Sequence, residues 1–99
     1  MPDEHPEMPH FLPEKAREQI PLLFPSCTEI QERDAGWTLV MVLGKPVPLS
    51  ERELGRLLVI HGKCKNQGIR IMLRCSEPAA EQLSRLLIDR LIFLERING

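Results

Sequence analysis

Four cations follow one another closely in the second half of the sequence. Lys63, Lys65, Arg70 and Arg74 lie in one stretch that no acidic residue interrupts. Such a cluster can neutralise nucleic-acid phosphates or bind an acidic protein surface. The alternative is a solvated role, because cations are favourable near a helix C-terminus and the two arginines can form the wet face of a strand. These four residues are the candidate partner-binding site.

A second set of residues has the chemistry of zinc ligands. It comprises Cys27, His61, Cys64 and Cys75, and His61 and Cys64 are one helical turn apart. However, the sequence has no Cys-x-x-Cys pair, and free cysteine is a common small buried residue. Three cysteines are also an odd number for a disulfide framework. We therefore predict reduced buried thiols, no bound metal and a cytoplasmic location.

The sequence gives no support for catalysis. It has no glycine-rich phosphate loop, no His-Glu-x-x-His and no nucleophile elbow. The isolated carboxylates Asp34 and Asp89 fall in a turn and on a helix face, where structural roles suffice. We expect no enzyme activity, no catalytic residue and no cofactor.

The elements that position these residues must belong to one small domain, because the chain has 99 residues. Its net charge of -1 conceals an asymmetry: residues 25–99 hold eleven basic and nine acidic side chains, a net +2. The front of the chain is acidic and rich in proline. No apolar run approaches the ~20 residues of a membrane-spanning helix, so no membrane association is expected.

The first half of the sequence divides into three parts. Residues 1–10 have the composition of a disordered acidic tail. Residues 11–24 predict a short accessory helix that begins at Pro13 and is ended by prolines. A β-hairpin follows over 27–43, in which a polar edge strand turns at Asp34-Ala35-Gly36 into an apolar central strand from Trp37 to Leu43.

The second half predicts a helix, a strand and a further helix. Ser50 and Glu53 form a capping box at a helix start, and Gly68 is placed to end that helix. An alternating strand runs from Ile69 to Arg74, and Ser76 can cap the next helix. Residues 77–97 predict either one long helix or a helix to about Asp89 followed by a short strand over 91–94. The fold class is therefore α/β over residues 25–99, with a small mixed sheet built from a β-hairpin plus a βαβ unit.

Several segments of this half resemble one known family. The stretch from His61 to Leu73 (HGKCKNQGIRIML) is followed by SEPAAEQL from Ser76 and by DRLIF from Asp89. Over about residues 55–97 the chain resembles STAS domains, the anti-sigma-factor antagonist and sulphate-transporter regulatory modules. The family carries its phosphorylated serine in an Asp-Ser-x-Gly-like loop that this sequence lacks. The resemblance implies an adaptor-like fold that works by docking, without that phosphorylation switch.

Two functions remain open from the sequence. The first is a small regulatory or adaptor module that acts through a protein partner or a second copy of itself. The second is a small nucleic-acid-binding protein that uses the basic residues between 63 and 74. They differ in the effect of salt, because phosphate binding weakens steeply as ionic strength rises.

Overall fold

The computed structural model describes residues 11–44 and 48–97 of the chain. Its strands are β1 (Cys27–Arg33), β2 (Thr38–Leu43), β3 (Arg70–Cys75) and β4 (Phe93–Arg96). Its α-helices are α1 (Ala16–Leu23), α2 (Glu51–Asn66) and α3 (Glu77–Arg85), with short 3₁₀ turns at Pro13–Lys15, Asp34–Gly36 and Ile88–Arg90. The predicted tail over residues 1–10 lies outside the described residues. No helix in the two described ranges is both long and apolar enough to cross a bilayer.

The strands form one mixed sheet in the order β1-β2-β3-β4. β1 is antiparallel to β2, whereas β2, β3 and β4 are parallel to one another. This confirms the predicted α/β class, the polar edge strand and the apolar central strand. The parallel pairs follow from the crossovers through α2 and α3, each of which returns the chain to the same end of the sheet.

All three α-helices cover the same face of the sheet. Apolar residues of each helix share one buried cluster with alternate residues of β2 and β3, including Met41 and Leu73. Two crossovers of the same hand that step in the same direction along a sheet place their helices, here α2 and α3, on one face. The protein is therefore a two-layer sandwich, and the opposite face of the sheet carries no helix among the described residues.

The uncovered face is closed by its own side chains. Val40 points to this face and still has 0% exposure. Glu95 on β4 lies 3.2 Å from Arg74 on β3 and 3.4 Å from Arg33 on β1. Because β1 and β4 are the two edge strands, the second ion pair must cross the middle of the sheet.

Hydrogen bonds at the helix ends explain where the helices begin. The Ser50 hydroxyl accepts a bond from the Glu53 amide at 3.2 Å, which confirms the predicted cap. The Glu53 carboxylate, however, accepts from the Ser26 amide at 3.0 Å and so ties α2 to the start of β1. Ser76 does occupy the N-cap position of α3, but its side chain does not cap the helix, and its buried hydroxyl has no hydrogen-bond partner among the residues that the structure describes.

Two expectations about the helices were wrong in detail. Pro21 lies inside α1 and does not end it, because the helix continues only to Leu23 and loses little by one missing amide donor. Residues 77–97 form a helix and a strand, and both lie a few residues from their predicted bounds.

Candidate functional site

The structure separates the four predicted cations. The Lys63 ammonium points toward the segment before α1 and donates to the Phe11 carbonyl oxygen at 3.5 Å. Arg74 lies on the uncovered sheet face, paired with Glu95. Lys65 and Arg70 make no ion pair with any residue in the described ranges, and both line one groove. The four residues therefore do not form a single basic surface.

This groove, which we call the β3 groove, lies beside the first residues of β3. Its volume is about 530 Å³. Two kinds of side chain line it: cationic or titratable ones from the end of α2 and from β3, and apolar ones from β3 and the approach to β4. The full lining comprises His61, Lys65, Gly68, Ile69, Arg70, Ile71, Met72, Leu91 and Phe93.

The turn from α2 into β3 fixes one wall of the β3 groove. Gly68 has φ +79°, a conformation that glycine adopts without steric cost, and it ends the helix as predicted. The Ile69 amide then donates to the Cys64 carbonyl at 2.8 Å, and the Arg70 amide donates to the Trp37 carbonyl at 2.8 Å. These bonds hold the start of β3 beside β2.

The opposite wall is an exposed apolar segment. Leu91 is 56% exposed and Phe93 is 60% exposed, and Leu86 and Leu87 just before them are exposed to a similar degree. Leu87 also adopts a left-handed backbone with φ 63°, which a leucine rarely does. The sequence predicts a helix, or a helix and a short strand, for the stretch that holds these leucines. The number of leucines in this stretch is the signal that could have predicted their exposure. A helix as short as α3 buries only one side of a leucine-rich stretch, so the other leucines stay exposed.

His61 contributes a neutral imidazole to the β3 groove. Partial burial lowers the pKa of His61 below its usual value, and the neighbouring Lys65 charge lowers it further. Its Nδ1 is buried and has no hydrogen-bond partner within the described residues. The charge of the groove at neutral pH therefore comes from Lys65 and Arg70.

The cysteines lie apart from the groove lining and are all buried. Burial raises the pKa of Cys64 to about 11 and also raises the pKa values of Cys27 and Cys75. Such thiols are poor nucleophiles near neutral pH because little thiolate is present. Across the described part of the chain, no three His, Cys, Asp or Glu side chains come together as metal ligands would.

Comparison with other proteins does not assign the site. The chain matches no protein-family model, no curated protein and no solved structure. The resemblance to STAS domains stays a prediction, and the geometry of the β3 groove is the basis for a proposal about function.

Proposed function

We propose that this protein is a small adaptor module that binds a protein partner at the β3 groove. The observation that carries this proposal is that two exposed apolar side chains, Leu91 and Phe93, line one concavity with Lys65 and Arg70. Neither cation makes an ion pair with a residue that the structure describes. An apolar centre with a charged border is the usual composition of a protein-binding surface. A nucleic-acid site would instead need a row of available cations, and here Arg74 is paired and Lys63 points elsewhere.

The test is a comparison of two surface variants as bait for binding partners. Phe93→Ser removes the largest apolar side chain of the groove wall. Leu22→Ser is the matched control, because Leu22 is 79% exposed on α1 and does not line the groove. We expect Phe93→Ser to lose a protein that the wild type and Leu22→Ser both retain. If the partner is a second copy, sedimentation will show a dimer that only Phe93→Ser dissociates.

Salt and nuclease decide between the two candidate functions. Binding through an apolar groove with two cations should survive nuclease and change little between low and high NaCl. A complex that nuclease abolishes, and whose affinity falls steeply with salt, would show that the nucleic-acid function is correct. If Phe93→Ser captures the partner as well as the wild type does, the β3 groove is not the binding site.

A further inference from the structure

The N-terminal segment, residues 1–10, joins the described domain at the end of α2 that also lines the β3 groove. Phe11 is buried, and its carbonyl accepts a hydrogen bond from Lys63 at 3.5 Å. Lys65 lies in the same last turn of α2 and lines the groove. The segment is therefore attached within one helix turn of the groove wall.

The length of the segment is sufficient to reach the groove. Lys63 and Lys65 project to nearly opposite sides of α2, because each residue of a helix turns by about 100°. A path around half of a helix that is about 10–12 Å in diameter measures roughly 17 Å. Five extended residues span about that distance, at roughly 3.3 Å each. The five residues before them remain for the groove itself.

The segment and the groove carry opposite charges. The segment contains Asp3, Glu4 and Glu7 and neither Lys nor Arg. The groove is lined by Lys65 and Arg70, and no Asp or Glu is among the described residues that line it. Neither cation makes an ion pair with another described residue. Carboxylates of the segment can therefore form charge-assisted contacts that the described domain does not supply.

The segment also matches the apolar wall of the groove. Pro2 and Pro6 flank the first two acids of the segment. Proline-rich segments dock in grooves that aromatic side chains line, and Phe93 is 60% exposed beside the equally exposed Leu91. Proline also fixes part of the backbone in advance, so less conformational entropy is lost on binding.

Covalent attachment makes weak contacts sufficient. A segment joined through a short linker has an effective concentration on the order of millimolar at its site. A groove that binds the free segment with a Kd of about 1 mM is then roughly half occupied. Side-chain contacts suffice for such an affinity, so the pairing of β3 with β4 stays intact.

We infer that residues 1–10 bind in the β3 groove of their own chain and compete there with the protein partner. The first two acids face the two cations of the groove, and the prolines cover its apolar wall. Binding of the segment goes beyond the proposed function, whereas the competition rests on it. A partner must then bind more tightly than the tethered segment to displace it.

A nitroxide spin label on the segment of the full chain tests where the segment lies. His5→Cys provides the attachment site, since the three native cysteines are buried and burial raises their pKa values. We expect the label to broaden the amide NMR signals of Leu91 and Phe93. The same spectra show whether each variant is folded.

Charge reversal in the groove supplies the decisive comparison. Lys65→Glu with Arg70→Glu should reduce the broadening of the groove amides at least threefold, because the acidic segment is then repelled. Arg52→Glu with Arg85→Glu is the matched control, since both arginines are exposed and neither lines the groove. It makes the same change in net charge and should leave the broadening unchanged.

A mixed sample separates binding within one chain from binding between two copies. Spin-labelled chain without isotope is mixed with an equal amount of ¹⁵N-enriched chain that carries no label. We expect no broadening in this sample. Broadening as large as in the doubly labelled chain would show that the groove holds the segment of a second copy.

Neutralisation of the segment tests the competition. Asp3→Asn with Glu4→Gln should increase capture of the Phe93-dependent partner at least twofold, because the competing segment binds less well. Glu14→Gln with Glu18→Gln is the matched control, since both glutamates are exposed and neither lines the groove. Its capture should equal that of the wild type.

The outcomes separate this inference from the proposed function. Absent broadening, or broadening that the groove charge reversal leaves unchanged, overturns binding of the segment. Equal capture by the neutralised segment and the wild type overturns the competition. If capture does not depend on Phe93, the proposed function is wrong whatever the spin label shows.

Discussion

The carboxylate of Glu95, on the edge strand β4, lies 3.4 Å from the guanidinium of Arg33, on the opposite edge strand β1. The same Glu95 oxygen lies 3.2 Å from Arg74 Nε. These ion pairs cross the sheet face that no described helix covers. One of them engages Arg74, which the sequence assigns to the partner-binding cluster.

Glu95→Gln tests this ion-pair network. Both pairs are partly exposed, and such pairs contribute about 0.2–1 kcal/mol each. We expect the free energy of unfolding to fall by about 1 kcal/mol at low salt, measured by urea denaturation, and by less in high salt because screening weakens the wild-type pairs. Glu81→Gln on α3 is the control, because Glu81 makes no ion pair within the described residues. A loss that does not depend on salt would contradict the assignment.

The side chain of Gln82 on α3 holds the segment before α2. It accepts from the Leu49 amide at 2.7 Å and donates to the Leu49 carbonyl at 2.8 Å. Gln82→Ala leaves both backbone groups of this buried residue without partners, so the free energy of unfolding should fall by about 1–3 kcal/mol. Gln82→Glu keeps the acceptor for the Leu49 amide but sets a carboxylate oxygen against the Leu49 carbonyl, so its free energy of unfolding should also lie below that of the wild type. If both variants unfold at the wild-type urea midpoint, the side chain does not hold this segment.

The His61 imidazole predicts one part of the pH dependence of stability. Its pKa in the folded state is lowered, so the unfolded chain binds more protons below about pH 6.5. Stability is therefore retained above the unfolded pKa and decreases as the pH falls toward the folded pKa. His61→Gln should reduce this decrease in urea unfolding measured at about pH 7.5 and about pH 5.5. An unchanged difference between wild type and variant at the two pH values would exclude a role for His61.

The hairpin turn contains a strained alanine. Ala35 adopts φ 56° and ψ 34°, a left-handed conformation that glycine adopts without the steric cost of a Cβ. Ala35 is exposed, so Ala35→Gly removes no buried contact, and it should raise the free energy of unfolding by about 0.5–1 kcal/mol. Ala35→Val should have the opposite sign, because a β-branched side chain tolerates this conformation least. Thermal unfolding of the two variants checks both signs.

Local sequence patterns were sufficient for most of the fold. The apolar run from Leu39 to Leu43 identified the central strand, and Ser50 and Gly68 marked the ends of α2. The end of α3 and the start of β4 could not be predicted, because Leu83, Leu87 and Leu91 continue a helical spacing beyond the end of the helix. Only tertiary packing ends it, since Ile88 and Ile92 turn into the core.

The candidate site was predicted only in part. Lys65 and Arg70 do meet at one groove, but the exposed wall formed by Leu91 and Phe93 was missed. Whether an apolar side chain is buried depends on what packs against it, and no helix or strand in the described chain covers this wall. The separation of Lys63 and Arg74 likewise depends on long-range partners, Phe11 and Glu95, that no local pattern reveals.

The order of the strands has a consequence for how the chain folds. Each strand of the sheet pairs with the strand that precedes it in the sequence. The hairpin of β1 and β2 can form from local contacts, and each helix then delivers the next strand to the growing edge. Since both parallel pairings must close a crossover through a helix, they carry the larger loop-closure cost and should form after the hairpin. β4 is the shorter of the two edge strands and pairs only through a crossover, so it should be the last strand to join the sheet and the first to open.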